Sequence, residues 1–221
     1  MQLAQFWVPL VVALGGYLIG SFPTAVVTGY LVKGIDVRTQ GSGNAGATNV
    51  VRVLGFKWGL MVGLVDLAKG ALPVMLVRLA LDLGALSPVF ADLSTVGLGI
   101  IAGIAALVGH ALPLFAGFRG GKGVATGAGM VLALWPLVFV VCFVGFLLGL
   151  FLTGYVSVAS LTAAVLLPIS QWILLRDDSL SFTIGMLIMV LVIFLHRKNL
   201  GRLRAGTEKR FEKIWILRRF F

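Results

Sequence analysis

Three clusters of glycine and hydrogen-bonding residues interrupt an otherwise apolar chain: GSGNAGATNVVRVLG at 41–55, GFRGGKG at 117–123 and HRKNLGRLRAGTE at 196–208. Each joins flexible backbone to Arg, Lys, Ser, Asn or His, which is equipment for holding a phosphate. In the first, Gly41, Gly43 and Gly46 let the backbone take positive φ and approach a ligand closely. Ser42, Asn44, Thr48 and Asn49 add hydroxyl and amide groups. Arg52, ten residues after Ser42, brings a planar fork that grips two phosphate oxygens. In the second, Gly120, Gly121 and Gly123 can turn N–H groups toward an anion beside Lys122. A helix starting just after them would aim its positive end at the same place. A Walker loop is excluded, because Gly123 stands where that motif needs Ser or Thr after the lysine. In the third, the spacing puts His196 and Asn199 on one helical face with Arg202 a turn further along, and Glu208 is placed to fix a cation by pairing.

Each cluster also has a plainer reading as a turn that carries basic residues, since a lone glycine-rich loop is a weak signal. Arg197, Lys198 and Arg204 read best as cations snorkelling from a helix end. His110, at the end of an apolar run, reads as a structural hydrogen-bonding group. Asp66 and Lys69 lie three apart inside another run, placed to pair within the membrane.

The elements that carry these clusters are membrane helices. The chain has 221 residues, 59% of them hydrophobic, and a mean hydropathy of +1.06, too apolar for a soluble domain of this size. In lipid the backbone must satisfy its own hydrogen bonds, and the runs are continuous rather than alternating, which excludes a barrel. The expected fold class is all-α, a polytopic integral membrane protein. The single cysteine, Cys142, excludes an intramolecular disulfide and a thiolate zinc site. Of 18 Lys and Arg, fifteen fall within 33–57, 119–122 and 197–219. In a membrane protein that pattern marks cytoplasmic loops and anionic headgroups rather than nucleic acid. The first stretch lacks a basic start and is too long for a cleaved signal peptide.

Apolar segments lie at roughly 5–31, 58–80, 94–116, 124–135, 136–153, 155–175 and 180–196. Gly154 and the polar stretch 176–179 divide the second half. Trp135 before Pro136 adds one more break, because proline disfavours helix at the preceding residue, and predicts a short helix over about 124–134. That break makes the number of crossings between 117–123 and 197–221 even, which the positive-inside rule requires of two basic segments. The expectation is about seven transmembrane helices with Gly-rich cytoplasmic loops, N-terminus outside, in one membrane-embedded domain over 1–221. Asp82, Asp92, Asp177 and Asp178 then fall in outer loops. A basic tail over about 205–221, with Phe211, Ile214, Trp215, Leu217 and Phe220 interleaved, suits an interfacial helix on anionic lipid.

The strings SGNAGATNVVRVLG, GHALPLFAGFRGGKGVAT and HRKNLGRLRAGTE, in this order and at these separations, resemble the bacterial acyl-phosphate:glycerol-3-phosphate acyltransferase family (PlsY) over the whole chain. Leu200 and Gly201 stand where Ile-Lys is common in that family. The resemblance implies a multi-pass enzyme of the bacterial inner membrane, with its site facing the cytoplasm. It would move a fatty acyl group from acyl phosphate to the sn-1 hydroxyl of glycerol 3-phosphate. The products would be lysophosphatidic acid and phosphate, in the first acylation of phospholipid synthesis, with no cofactor. The residues expected to be catalytic are Ser42, Arg52, Lys122, His196 and Asn199. Those expected to bind substrate are Gly41, Gly43, Asn44, Thr48, Asn49, Gly120, Gly121, Gly123 and Arg202, with His110 and Glu208 structural. The expected partners are glycerol 3-phosphate, acyl phosphate and membrane lipids, with no nucleic acid.

Two other chemistries are set aside. A His-x-x-x-x-Asp acyltransferase pair is absent, since five residues after His110 stands Phe115 and five after His196 stands Gly201. No metal is expected, because the three clusters hold no close pair of His or carboxylates. The competing class is a membrane transporter for an organic phosphate. Such a pathway needs polar residues through the membrane and often paired inverted halves, whereas only Asp66 and Lys69 are charged well inside a span.

The charge pattern predicts that residues 41–55, 117–123 and 197–221 share the cytoplasmic face. Single cysteines placed in each, in a Cys142→Ala background, should all be shielded from an impermeant thiol reagent outside intact cells. Labelling of 197–221 with 117–123 protected would overturn the even number of crossings.

Overall fold

The computed structural model describes residues 2–84, 86, 95–176, 178–212, 215 and 216. Their regular structure is helical: α1 (Gln2–Gly20), α2 (Thr24–Lys33), α3 (Ala47–Leu54), α4 (Phe56–Asp82), α5 (Thr95–Ala111), α6 (Val124–Leu134), α7 (Pro136–Thr153), α8 (Val156–Leu174), α9 (Ser179–Leu195) and α10 (Arg197–Arg204). The protein is an all-α, multi-pass integral membrane protein. Five segments are long and apolar enough to cross a bilayer: Trp7–Lys33, Phe56–Asp82, Val96–Ala116, Pro136–Thr153 and Val156–Leu174. A sixth is formed if α9 and α10, bent by 55° at His196, count as one span. The remaining segment, α6, has 11 residues and rises only about 16 Å, against a hydrocarbon core of about 30 Å. Of about seven expected helices, five to six therefore reach full spanning length.

The breaks follow local chemistry. Trp135 is extended at φ −138° and Pro136 opens α7, where its missing N–H costs no helical bond. Gly154, in the left-handed region at φ 73°, ends α7. One break lies inside an expected span: the segment 5–31 is divided at Ser21 to Pro23 into α1 and α2. Pro23 interrupts the helical ladder there, and the Phe22 carbonyl accepts instead from the Thr24 N–H and from Lys69 Nζ at 3.0 Å. Lys69 also pairs with Asp66 at 2.9 Å, both side chains being buried. Asp92 and Asp177 lie outside the described residues.

The chain forms two compact units, 1–134 and 135–221. In the first, α1 packs on α5, and α4 packs on α5 and α6. Small residues allow this approach, as expected where lipid offers no hydrophobic drive between helices. A Cβ on Gly16 or Gly20 would strike the Ala102 or Ala106 carbonyl of α5, and one on Gly70 or Gly129 would strike the Thr126 or Leu67 carbonyl across the α4–α6 seam. A separate buried cluster of Ala25, Val26, Val37, Ala45, Val50 and Val62 anchors the first glycine loop and α3. In the second unit, α7 packs on α8 and α8 on α9, with Gly149 against Ala159 and Gly185 against Gln171.

The α4–α6 seam generates a stability prediction. Gly129→Val should cost about 1–3 kcal/mol through overpacking and lower the thermal midpoint in detergent, while Val131→Ile on the same helix should cost less. A parental midpoint for Gly129→Val would mean that the helices do not approach as closely as this.

Candidate functional site

The first loop is tied by one amide. Asn49, fully buried at the start of α3, donates through Nδ2 to the carbonyls of Val37 (2.7 Å) and Gln40 (3.1 Å). Its Oδ1 accepts from the Ser42 N–H at 2.7 Å and from Ser42 Oγ at 3.1 Å. The amide is spent on the loop, so Asn49 sets the position of Ser42 rather than reaching a ligand. Gly41 and Gly43 sit at φ 65° and 74°, a region that only glycine enters without cost. Gly46 departs from the expected positive φ. It is extended at φ −147° and caps α3, and its lack of a side chain leaves room for Asn44 Nδ2. Ser42 is exposed, while Asn44, Thr48 and Arg52 are half-buried, Arg52 in the last turn of α3.

The second loop packs on His110 and on the first loop. Gly120 and Gly121 donate to the carbonyls of Ala111 (3.2 Å) and His110 (3.1 Å). A Cβ on Gly120 would strike the His110 carbonyl, and one on Gly121 would strike the His110 ring and lie 2.7 Å from the Ala45 carbonyl. These two glycines are needed for space. Gly123, at φ 73°, is needed for conformation, and it leads directly into α6, so half-buried Lys122 lies beside a helix N-terminus. His110 is buried, with Nδ1 3.7 Å from Asp66 Oδ1. A small cleft lies here, bordered by Asp66, Lys69, His110, Arg119 and Gly120.

The third cluster turns about Glu208. Its buried carboxylate accepts from Asn199 Nδ2 at 2.7 Å and from Arg202 Nε at 2.6 Å. Burial pushes the Glu208 carboxyl up, but the bonds from Arg202 and Asn199 outweigh it and hold the group below its ordinary 4.5. His196 is buried at the α9–α10 bend, with Nδ1 2.8 Å from the Val192 carbonyl. A carbonyl only accepts, so Nδ1 carries the proton and a neutral ring keeps its acceptor lone pair on Nε2. The reading of the sequence missed Ser157, buried in the first turn of α8. The available signal was a serine just after the Gly154 turn in an apolar run. It also missed the pair of Asp36 and Arg38, joined at 2.8 Å; the guanidinium holds Asp36 below the usual carboxylate value.

The described tail differs from the expected lipid-bound helix. Phe211 N–H donates to the Gly154 carbonyl at 2.8 Å, Trp215 Nε1 donates to the Leu152 carbonyl at 2.9 Å, and the Arg210 guanidinium lies over the rings of Tyr155 and Trp215. The α7–α8 turn exposes carbonyls that this segment satisfies, so it docks on the protein. Ile214, Leu217 and Phe220 fall outside the described residues.

Glu208 generates a pH prediction. A carboxyl held below its unfolded value contributes stability that is complete above that value and lost as pH falls through the folded one. Glu208→Gln should therefore lower stability near neutral pH by about 1–2 kcal/mol, a range discounted because Arg202 is part-exposed. Its deficit against the parent should shrink below a pH of about 4.5. A deficit that stays constant in thermal melts down to pH of about 3.5 would place the stabilisation elsewhere.

The comparisons with known proteins agree in what they match. The family model described as "Glycerol-3-phosphate acyltransferase" matches residues 10–206. Proteins of that name from Chlorobaculum parvum and Chlorobaculum tepidum are each 41% identical, over 88% and 91% of this chain and 92% and 95% of theirs. The crystal structure of PlsY (YgiH), an integral membrane glycerol 3-phosphate acyltransferase, in its glycerol 3-phosphate form, superposes with a TM-score of 0.80 at 36% identity, over 92% of this chain and 95% of that one. Its lysophosphatidic acid form gives 0.78 at 35% identity, over 95% and 98%. On the match of nearly the whole chain to the family model and to these relatives, the chain belongs to the glycerol-3-phosphate acyltransferase family.

Proposed function

We propose that this protein acylates the sn-1 hydroxyl of glycerol 3-phosphate with acyl phosphate as the donor, as one membrane-embedded catalytic domain whose three clusters face the cytoplasm. The observation that carries the proposal is the contact of the two glycine loops, Gly121 against the Ala45 carbonyl. The two loops so joined carry Ser42, Arg52 and Lys122 in one unit of the protein, which supports this reading. Such a set suits compact phosphates. A CoA donor would need an adenine pocket and a pantetheine channel, for which the loops leave little chain.

In this reading Ser42, Arg52 and Lys122 hold the substrate phosphates and stabilise charge developing on the acyl carbonyl oxygen. Gly41, Gly43, Asn44, Thr48, Gly120, Gly121 and Gly123 shape the two loops or line them, and Asn49 fixes Ser42. Within the second unit, Glu208 fixes Asn199 and Arg202. The hydroxyl oxygen bonds to the acyl carbon as the bond from that carbon to the phosphate oxygen breaks. The hydroxyl proton ends on the departing phosphate, so the balance needs no further reactant. The donor is already activated, and positioning supplies much of the rate.

With purified protein, lysophosphatidic acid and inorganic phosphate should form in equal amounts from acyl phosphate, and neither acyl-CoA nor acyl carrier protein should substitute. Arg52→Ala and Lys122→Ala should each lose about a hundredfold or more in kcat, and Arg52→Lys should not recover it. Robust turnover with acyl-CoA, free of acyl phosphate, would refute the donor; near-parental rates in the folded variants would remove Arg52 and Lys122 from the site.

A further inference from the structure

The contact between the two glycine loops has a brace that belongs to neither cluster. Arg38 donates from Nε to Asp36 Oδ1 and Oδ2 at 3.0 and 3.1 Å and from Nη2 to Asp36 Oδ2 at 2.8 Å. Its Nη1 reaches across to the carbonyls of Ala116 at 2.7 Å, just before the second loop, and Arg119 at 3.2 Å, within it. Asp36 is itself fixed, since it caps the short 3-10 turn Val37–Thr39 by accepting the Arg38 N–H at 2.9 Å. The same turn supplies the Val37 carbonyl to which Asn49 is tied, and Asn49 holds Ser42. A continuous series of hydrogen bonds thus runs from Ser42 through Asn49, the 3-10 turn and Arg38 to Arg119, three residues before Lys122. Every contact in it lies within the first unit.

We propose that Arg38 is a positioning residue for acyl transfer: held by Asp36, it locks the second glycine loop against the first and so fixes Lys122 relative to Ser42. The inference rests on the assignment of Ser42 and Lys122 to phosphate binding. The chemistry of guanidinium suits the task. One edge of the planar fork grips a carboxylate while the remaining nitrogen addresses two carbonyls, a division that a lysine ammonium cannot make. The loop needs such a brace because its own residues are mostly glycine, which resists displacement poorly. Small displacements of a positioned group cost large factors in rate.

The test is a double-mutant cycle on purified protein, with kcat and KM measured for both substrates. Arg38→Ala should lower kcat by about tenfold, Arg38→Lys should not restore it, and Asp36→Asn, which keeps the guanidinium but loosens its anchor, should show a smaller loss in the same direction. In a Lys122→Ala background, Arg38→Ala should add no further loss, because the group it positions is gone. Parental kcat in Arg38→Ala, rescue by lysine, or losses that multiply in the double variant would each overturn the proposal. Losses that multiply together with a lowered thermal midpoint would identify a general folding role. If the parent accepts no acyl phosphate, the donor assignment fails by itself, and the cycle is read with the donor the parent does accept.

Discussion

A backbone that leaves the helix beside an apolar bundle must find partners for its N–H and C=O groups outside the helical ladder, since lipid offers none. That constraint organises the irregular parts of this protein. Asn49 closes the first loop with four hydrogen bonds. Arg38 satisfies two carbonyls at the second loop. Lys69 covers the Phe22 carbonyl exposed by the Pro23 break, and Trp215 and Phe211 cover the α7–α8 turn. In all but one case a long or branched polar side chain replaces what a helix would have provided; the exception is the Phe211 backbone N–H. Where the bond is buried, as from Asn49 to the Val37 carbonyl, its loss leaves a buried backbone group unpaired as well as removing a contact.

The glycines divide into two kinds, and the division matters for chemistry. Gly43 and Gly123 supply left-handed turns. Gly120 and Gly121 supply space, letting the second loop lie directly on His110 and Ala45. A phosphate site needs both: turned backbone to present N–H groups, and close approach to bring two loops to one ligand. Alanine at the first kind strains the backbone. At the second it separates the loops.

Much of this was legible in the sequence because it rests on local signals. Continuous apolar runs gave helices, and Trp135 before Pro136 marked the boundary between α6 and α7 to the residue. The pairing of Glu208 with a nearby cation and of Asp66 with Lys69 followed from spacing along the chain. The division at Pro23 was missed because Ser21 and Thr24 are small and the apolar runs on either side are long, so hydropathy runs on across the break. The Arg38 brace was missed because its partners lie 78 and 81 residues away, and a carbonyl acceptor leaves no trace in residue type. The tail was misread for a similar reason. Alternating basic and apolar residues suit a lipid surface, and nothing in them announces that the Gly154 carbonyl awaits an N–H.

The distribution of acids suits the proposed reaction. In the proposed reaction two phosphates together bring about three to four negative charges, and any unscreened carboxylate nearby would oppose them. The chain holds only eight acids against eighteen Lys and Arg. The carboxylates of Asp36, Asp66 and Glu208 are each placed in contact with a cation, Arg38, Lys69 and Arg202 respectively. Each pair makes its acid a support for the loop or helix end that it touches. A lone acid in the same place would weaken anion binding, whereas a paired one adds rigidity at little electrostatic cost. Replacing either partner alone therefore does two things at once: it loosens the support and leaves an uncompensated charge, which bears on the anion binding proposed above. The two effects separate by sign. Removing the cation opposes substrate binding, and neutralising the acid favours it, while both loosen the geometry that turnover depends on.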